Sequence, residues 1–174
     1  MKMMCSLVIL AVSALLFDGC LCANPADFTV HGVDGGKTFR LSEARGKYVA
    51  LHFLLKTTCP YCLKHTQEYI EKAPTVPGVI HVFLKPDTDE EIKAWAGKLG
   101  DDTMTIYRDP EAELAKQFKI PDGYKFHGQV VHFPAFVLLD PAGKEVFRYV
   151  GKSNRDRFSF DQFAQKMAEL TKGK

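Results

Sequence analysis

Sulfur is scarce where it could be structural. Of five cysteines, Cys5, Cys20 and Cys22 fall in the first 22 residues, and only Cys59 and Cys62 remain for the rest of the chain. A domain stapled by disulfides would spread cysteines along its length, so that class is excluded. Excess charge of one sign is also missing. The formal net charge is +2, the lysines are scattered and no nucleic-acid motif occurs, so no nucleic-acid partner is expected. Beyond Phe17 no apolar run is long enough to cross a bilayer. There is no phosphate loop or dinucleotide fingerprint, so no organic cofactor is implied. Repeats and low-complexity segments are absent as well. With 174 residues and 46% apolar content, the chain suffices for one domain with a real core.

The N-terminus differs from the rest. Lys2 is followed by the apolar run Leu7–Phe17 and then by "DGCLCAN". That order of charged, hydrophobic and cleavage regions is the pattern of a secretory signal peptide. Residues 1–23 are therefore expected to be a signal peptide, cleaved near Cys22 or Ala23, and residues 24–174 a single domain. A retained anchor, or lipid attachment at Cys20 after Gly19, are the alternatives, and a membrane partner is expected only in those cases. The expected location is secreted or periplasmic.

From Asp27 onward strand and helix patterns alternate. "ADFTV" and "DGGKTFRL" predict two short strands around a Gly-Gly turn. Tyr48–Leu55, almost continuously apolar, suits a central strand covered on both faces. Helical spacing follows Cys59 until Pro74 and Pro77 close it. Val79–Leu84 predicts another strand, and Thr88 or Asp89 caps a helix running through Trp95 to Leu99. "MTIYRD" predicts a strand, Pro110–Phe118 a helix after an Asp cap, and "PDGYKFHGQV" a loop. "FPAFVLLD" and "KEVFRYVG" predict paired strands, with "SFDQFAQKMAEL" as a closing helix. The order predicts an α/β fold, a central mixed sheet with helices on both faces. Trp95 and Phe118 are expected in the core.

The tetrapeptide Cys59-Pro60-Tyr61-Cys62 carries the chemistry. Pro60 fits a first helical position, where a missing N–H costs nothing. Cys59 then sits exposed at the N-cap, facing unpaired N–H groups and the positive end of the helix dipole. That setting favours thiolate and lowers its pKa. Cys62, one turn deeper, can attack a mixed disulfide formed at Cys59. Redox chemistry is favoured over metal binding or an inert disulfide. Lys56 and Lys64 could add positive potential.

Together "ADFTV…DGGKTFRLSEARGKYVALHFLL", "CPYC", "DPEAELAKQF" and "FPAFVLLDPAGKEVFRYVG" resemble the thioredoxin superfamily, in its redoxin and cytochrome-maturation branch. The resemblance runs from about Pro25 to the C-terminus. It implies a thioredoxin-like fold with an N-terminal β-hairpin extension, and a thiol-disulfide oxidoreductase with catalytic Cys59 and Cys62. It implies a cis-proline at Pro134 packed against the disulfide, with Phe133, Pro134, Pro60 and Tyr61 contacting substrate. Partners would be protein thiols or disulfides and a redox partner, with no resident metal. The chain departs from the family pattern in having Thr58 where many relatives have Trp. It also has Phe53 in place of the acidic group that accepts the resolving thiol's proton. His52 is expected to face away from the thiols.

Two rival functions stay open. Peroxiredoxins place Thr or Ser three residues before the reactive cysteine and Pro four residues earlier, whereas this chain has Lys56 and His52. A copper-delivery protein would combine Cys59 and Cys62 with His132, His127 or His65, since thiolates select Cu(I). Tyr124, Phe126 and His127 could form a rim beside Cys59 that meets a partner protein.

Overall fold

The computed structural model describes residues 27–33, 35–56, 59–101, 104–126 and 129–172, with backbone alone for 124–126 and 129–130. The expected signal segment, including Cys5, Cys20 and Cys22, lies outside the described residues, as do Thr57, Thr58 and His127. Among the described residues no helix is long and apolar enough to cross a membrane.

The strands are β1 (Thr29–Gly32), β2 (Thr38–Arg40), β3 (Tyr48–Phe53), β4 (Val79–Lys85), β5 (Ile106–Arg108), β6 (Asp122–Phe126), β7 (Gln129–His132), β8 (Ala135–Leu139) and β9 (Glu145–Val150). The helices are α1 (Pro60–Lys72), α2 (Asp89–Ala96), α3 (Glu113–Gln117) and α4 (Phe160–Thr171). Seven strands form one mixed sheet in the order β2-β1-β5-β4-β3-β8-β9. β3 pairs parallel with β4 and antiparallel with β8, so it is central, as its apolar run demands. β1 and β2 form the expected N-terminal hairpin and extend the sheet beyond β5. The α/β architecture with a central mixed sheet is as expected.

Alternation along β3 divides the core. Ala50 points with Leu54, Phe83 and Phe136 into a cluster that also holds Cys59, Cys62, Tyr69, Trp95 and Phe163, so α1, α2 and α4 pack there. Val49, Leu51 and Phe53 point to the opposite cluster with Leu114, Ala115 and Phe118 beneath α3. Local chemistry sets the helix starts. Thr88 and Glu91 form a reciprocal capping box on α2, and Ser159 and Gln162 form one on α4.

Two segments differ from expectation. The helix expected from Pro110 begins at Glu113 instead. The Asp109 carboxylate accepts the N–H groups of Leu114 (2.7 Å) and Ala115 (3.1 Å), which fixes the start there. The skipped residues Glu111 and Ala112 take left-handed φ values of 53° and 55°, a strained choice for non-glycine residues. The second difference is "PDGYKFHGQV", expected as a loop, which forms the separate hairpin β6–β7. Its register shifts between Asp122 and Tyr124, where Gly123 has φ 144°. Alternation within "YKF" and "QVVH" was a strand signal hidden by polar residues.

The β9–α4 connection is packed tightly. A Cβ on Gly151 would lie 2.2 Å from the Asp156 carbonyl oxygen and 2.9 Å from Pro134 Cγ. Gly151→Ala is expected to destabilise the fold by about 1–3 kcal/mol, the usual range for overpacking, read as a lowered urea midpoint.

Candidate active site

Cys59 is the N-cap of α1, in extended conformation, and Pro60 opens the helix as predicted. The Cys59 N–H donates to the Lys56 carbonyl (3.0 Å), and its own carbonyl accepts the Cys62 N–H (3.3 Å). Cys62 is fully buried, and its Sγ accepts the N–H of Leu55 at 3.3 Å. Both cysteines are free thiols. Cys59 was expected to be exposed, but only 4% of its surface is accessible. Arg157 accounts for part of that cover. Its Nη2 lies 3.5 Å from Cys59 Sγ and 3.2 Å from Cys62 Sγ, donating to both.

No sequence motif announced Arg157. It is placed by its neighbours. Tyr69 on α1 donates its hydroxyl to the carbonyls of Phe158 (3.1 Å) and Ser159 (3.2 Å). Phe158 packs on Phe136, Phe147 and Tyr149. The Asp156 carboxylate accepts the Tyr149 hydroxyl and the Lys152 N–H. The residue is thus anchored on both sides, with its guanidinium over the thiols.

The two thiols are driven apart electrostatically. The Cys62 thiol donates to Cys59 sulfur and stabilises its anion. Backbone N–H groups of Cys62 and Tyr61 and the Arg157 charge add to this, against the cost of burial, and the Cys59 pKa falls to about 5. Burial pushes Cys62 up, and donation to Cys59 pushes it further, opposed by Arg157 and Lys85. At neutral pH Cys59 is therefore thiolate and Cys62 thiol. Lys85 is a second buried cation. Its Nζ, wholly shielded from water, donates to the Leu55 carbonyl (2.6 Å), lies 3.7 Å from Asp87 Oδ2 and sits 4.4 Å over the Trp95 ring. Burial lowers its pKa, opposed by the Cys62 and Asp87 charges.

His52 points toward the α1 side rather than away from it. Phe53 faces α3 instead, because alternation along β3 gives His52 the face on which α1 packs. Its Nδ1 lies 3.0 Å from His65 Nε2 and its Nε2 lies 3.1 Å from His81 Nδ1, so three imidazoles form a hydrogen-bonded chain. His52 stacks on Phe83. Burial is the main cause of a lowered pKa in all three: well below the ordinary value for His52, about 3 for His65 and about 4 for His81. His65 is thus a buried link in the chain and not a surface histidine. His132 is buried too, and its Nδ1 faces the Phe133 carbonyl at 2.7 Å. Among the described residues no three His, Cys, Asp or Glu side chains converge as a metal site requires, so the copper arrangement with His132 or His65 is not formed.

Pro134 is buried beside the site. With Leu54, His65, Phe136, Arg157 and others it encloses a void of about 10 Å3. Its peptide bond is trans, not the expected cis. The Phe133 N–H is bound to the Pro121 carbonyl (2.9 Å), and the Pro134 carbonyl receives the Gly151 N–H (2.8 Å). Residues just before β6 and just after β9 thus occupy backbone groups beside Pro134, where substrate contact was expected. Of the other expected contact residues, Pro60 is exposed and Tyr61 half-buried at the helix mouth.

The AhpC/TSA family model matches residues 23–146. A search of curated proteins returned no match. Among solved structures, the exposed lipoprotein thioredoxin Etrx1 of Streptococcus pneumoniae is 25% identical, with a TM-score of 0.66, covering 83% of this chain and 100% of that one. A secreted disulfide oxidoreductase of Mycobacterium tuberculosis is 19% identical (TM-score 0.62, covering 82% and 96%). The bacterioferritin comigratory protein of Xanthomonas campestris, a protein with alkyl peroxide reduction activity, is 17% identical (TM-score 0.65, covering 83% and 90%). These likenesses establish the thioredoxin-like fold.

Two outcomes follow from this geometry. Arg157→Gln removes a charge that stabilises the thiolate. The Cys59 pKa should rise from about 5, so the midpoint of its alkylation rate against pH should move to higher pH, each unit of rise being a tenfold change in the equilibrium. The second concerns the histidines. Their folded-state pKa values lie below the unfolded value of 6.5. The unfolded chain therefore binds more protons once pH drops below about 6.5, and stability should fall with pH from there toward about 4. Each histidine should contribute a slope of up to about 1.4 kcal/mol per pH unit. Urea unfolding across that range should show the slope, and His81→Phe should flatten it.

Proposed function

This chain belongs to the AhpC/TSA family, and from that membership we propose that it is an exported thiol-disulfide oxidoreductase that exchanges disulfides with protein partners through Cys59 and Cys62. The observation that carries the reading is the guanidinium of Arg157 donating to both sulfurs at the mouth of α1. Beside it, one thiol is poised as nucleophile and the other is kept protonated. This division suits a two-step exchange.

In the reducing direction the Cys59 thiolate attacks one sulfur of a partner disulfide. The partner's S–S bond breaks, and its leaving sulfur departs as thiolate and takes a proton. A mixed disulfide joins Cys59 to the partner. Cys62 then loses its proton and attacks the Cys59 sulfur, expelling the partner's second thiolate. Two electrons have passed to the partner, and Cys59 and Cys62 are joined. The oxidising direction is the reverse. Because Cys59 is nearly covered, an incoming sulfur must first shift part of the cover over it. Lys85 also lies close to Cys62 through the shared Leu55 carbonyl, and together with Arg157 it favours the Cys62 thiolate at the resolving step.

Recognition would use the hairpin side. Lys56, Pro86, Lys116, Asp122, Val131 and His132 help line an open groove of about 490 Å3, which supports β6–β7 as the rim that meets the partner. Export is supported by the N-terminal pattern and by the family match beginning at Ala23. A second reading, peroxide reduction through Cys59, is favoured by the family match and the lowered Cys59 pKa.

Cys59→Ser should abolish reduction of a protein disulfide such as insulin. Cys62→Ser should lower it by more than tenfold while trapping a mixed disulfide visible by mass spectrometry. Hydrogen peroxide consumption that outpaces disulfide exchange and survives in Cys62→Ser with added thiol would overturn the primary reading for the second.

A further inference from the structure

Beside the thiols, on the α1 side of Arg157, lies a cavity of about 200 Å3 lined by Tyr61, Lys64, His65, Glu68, Arg155, Arg157 and Ser159. Three cations converge on it. Lys64 and Arg155 are exposed and make no ion pair among the described residues, and Arg155 lies 5.4 Å over the Tyr61 ring. Arg157 gives Nη2 to the sulfurs, while its Nε and Nη1 are buried and have no hydrogen-bond partner. Unsatisfied guanidinium donors in a shielded place are costly unless a ligand or water meets them. The nearby acids are engaged elsewhere. Glu68 accepts Lys72 Nζ at 3.1 Å, and Asp156 holds the Tyr149 hydroxyl and the Lys152 amide.

We propose that this cavity binds a carboxylate carried a few bonds from the reacting sulfur of a small disulfide substrate. Lys64 and Arg155 bring two exposed cations to the cavity and Arg157 lines it with a third, a concentration of positive charge that suits a carboxylate. The cavity holds such an arm but no folded partner. The Arg157 guanidinium thus touches the sulfurs with one nitrogen and also lines the cavity beside them. This inference deepens the thiol-disulfide reading and rests on it.

The test compares the reduced protein against three small disulfides: dithiodipropionate (anionic), hydroxyethyl disulfide (neutral) and cystamine (cationic). Each rate is divided by that of a free small thiol with the same disulfide, which removes differences in leaving group. The anionic substrate should exceed the neutral one by roughly tenfold, the lower end for steering into a charged cleft, and the cationic one should be slowest. The double variant Lys64→Gln/Arg155→Gln should bring the anionic-to-neutral ratio close to one. A remote pair, Lys93→Gln/Lys144→Gln, should leave the ratio where it was. An anionic-to-neutral ratio at or below one in the unaltered protein overturns the proposal, as does an equal fall in the remote pair. Inertness toward all three disulfides with insulin reduction intact also overturns the proposal, whereas inertness toward insulin as well would overturn the thiol-disulfide reading itself.

Discussion

One positive charge pressed against two sulfurs organises this molecule. The Arg157 guanidinium reaches both Cys59 and Cys62, in surroundings shielded enough for its charge to act strongly. Two neighbouring thiols in a symmetrical setting would titrate alike. Here they do not, because Cys59 has the backbone N–H groups of the helix start and the Cys62 thiol as donors, while Cys62 is sealed in the core. The cation favours the anion at both sulfurs, but burial outweighs it at Cys62. The residues that hold Arg157 come from α1, β9 and the β9–α4 connection, so the site depends on the whole of that face being packed.

Among the described residues no carboxylate is prominent in the electrostatics of Cys62. Phe53 occupies the β3 position where a buried acid would serve, and it points to the other face of the sheet. The charges that act on Cys62 are the cations Arg157 and Lys85 and, against them, the Cys59 thiolate. A buried cation favours loss of a proton from a neighbouring thiol as a buried base would, without taking the proton itself. Behind α1 the three linked imidazoles of His65, His52 and His81 are held neutral by burial. They satisfy polar groups among the aromatic rings and add no charge to the site.

The backbone groups around Pro134 are already bonded within the chain. The Pro121 carbonyl, just before β6, accepts the Phe133 N–H, and the Gly151 N–H, just after β9, donates to the Pro134 carbonyl. A partner strand then has fewer open backbone groups to pair with. The groove beside Lys56 and His132, and the basic cavity on the α1 side, offer contact through side chains instead.

Much of this was legible in the chain itself. Apolar runs and caps placed β3, β4, α1, α2, β8, β9 and α4, because local periodicity and reciprocal caps act over a few residues. The strand–Cys–Pro–helix order put Cys59 at the N-cap for the same reason. The register between distant segments was not legible. Arg157 lies 98 residues from Cys59, and nothing in "NRDRF" signals a sulfur contact. The histidine chain joins residues from β3, α1 and β4, which only strand pairing and helix packing bring together. The start of α3 went unread because the Asp109 carboxylate bridges to residues five and six positions on, past a conformation no local pattern predicts. By itself, then, the sequence determined the elements, the thiol pair and its place at a helix start, since those follow from neighbours in the chain. Only the tertiary structure decided which charges face the sulfurs and how far water is kept from them, since those depend on side chains remote in sequence meeting in one shielded place.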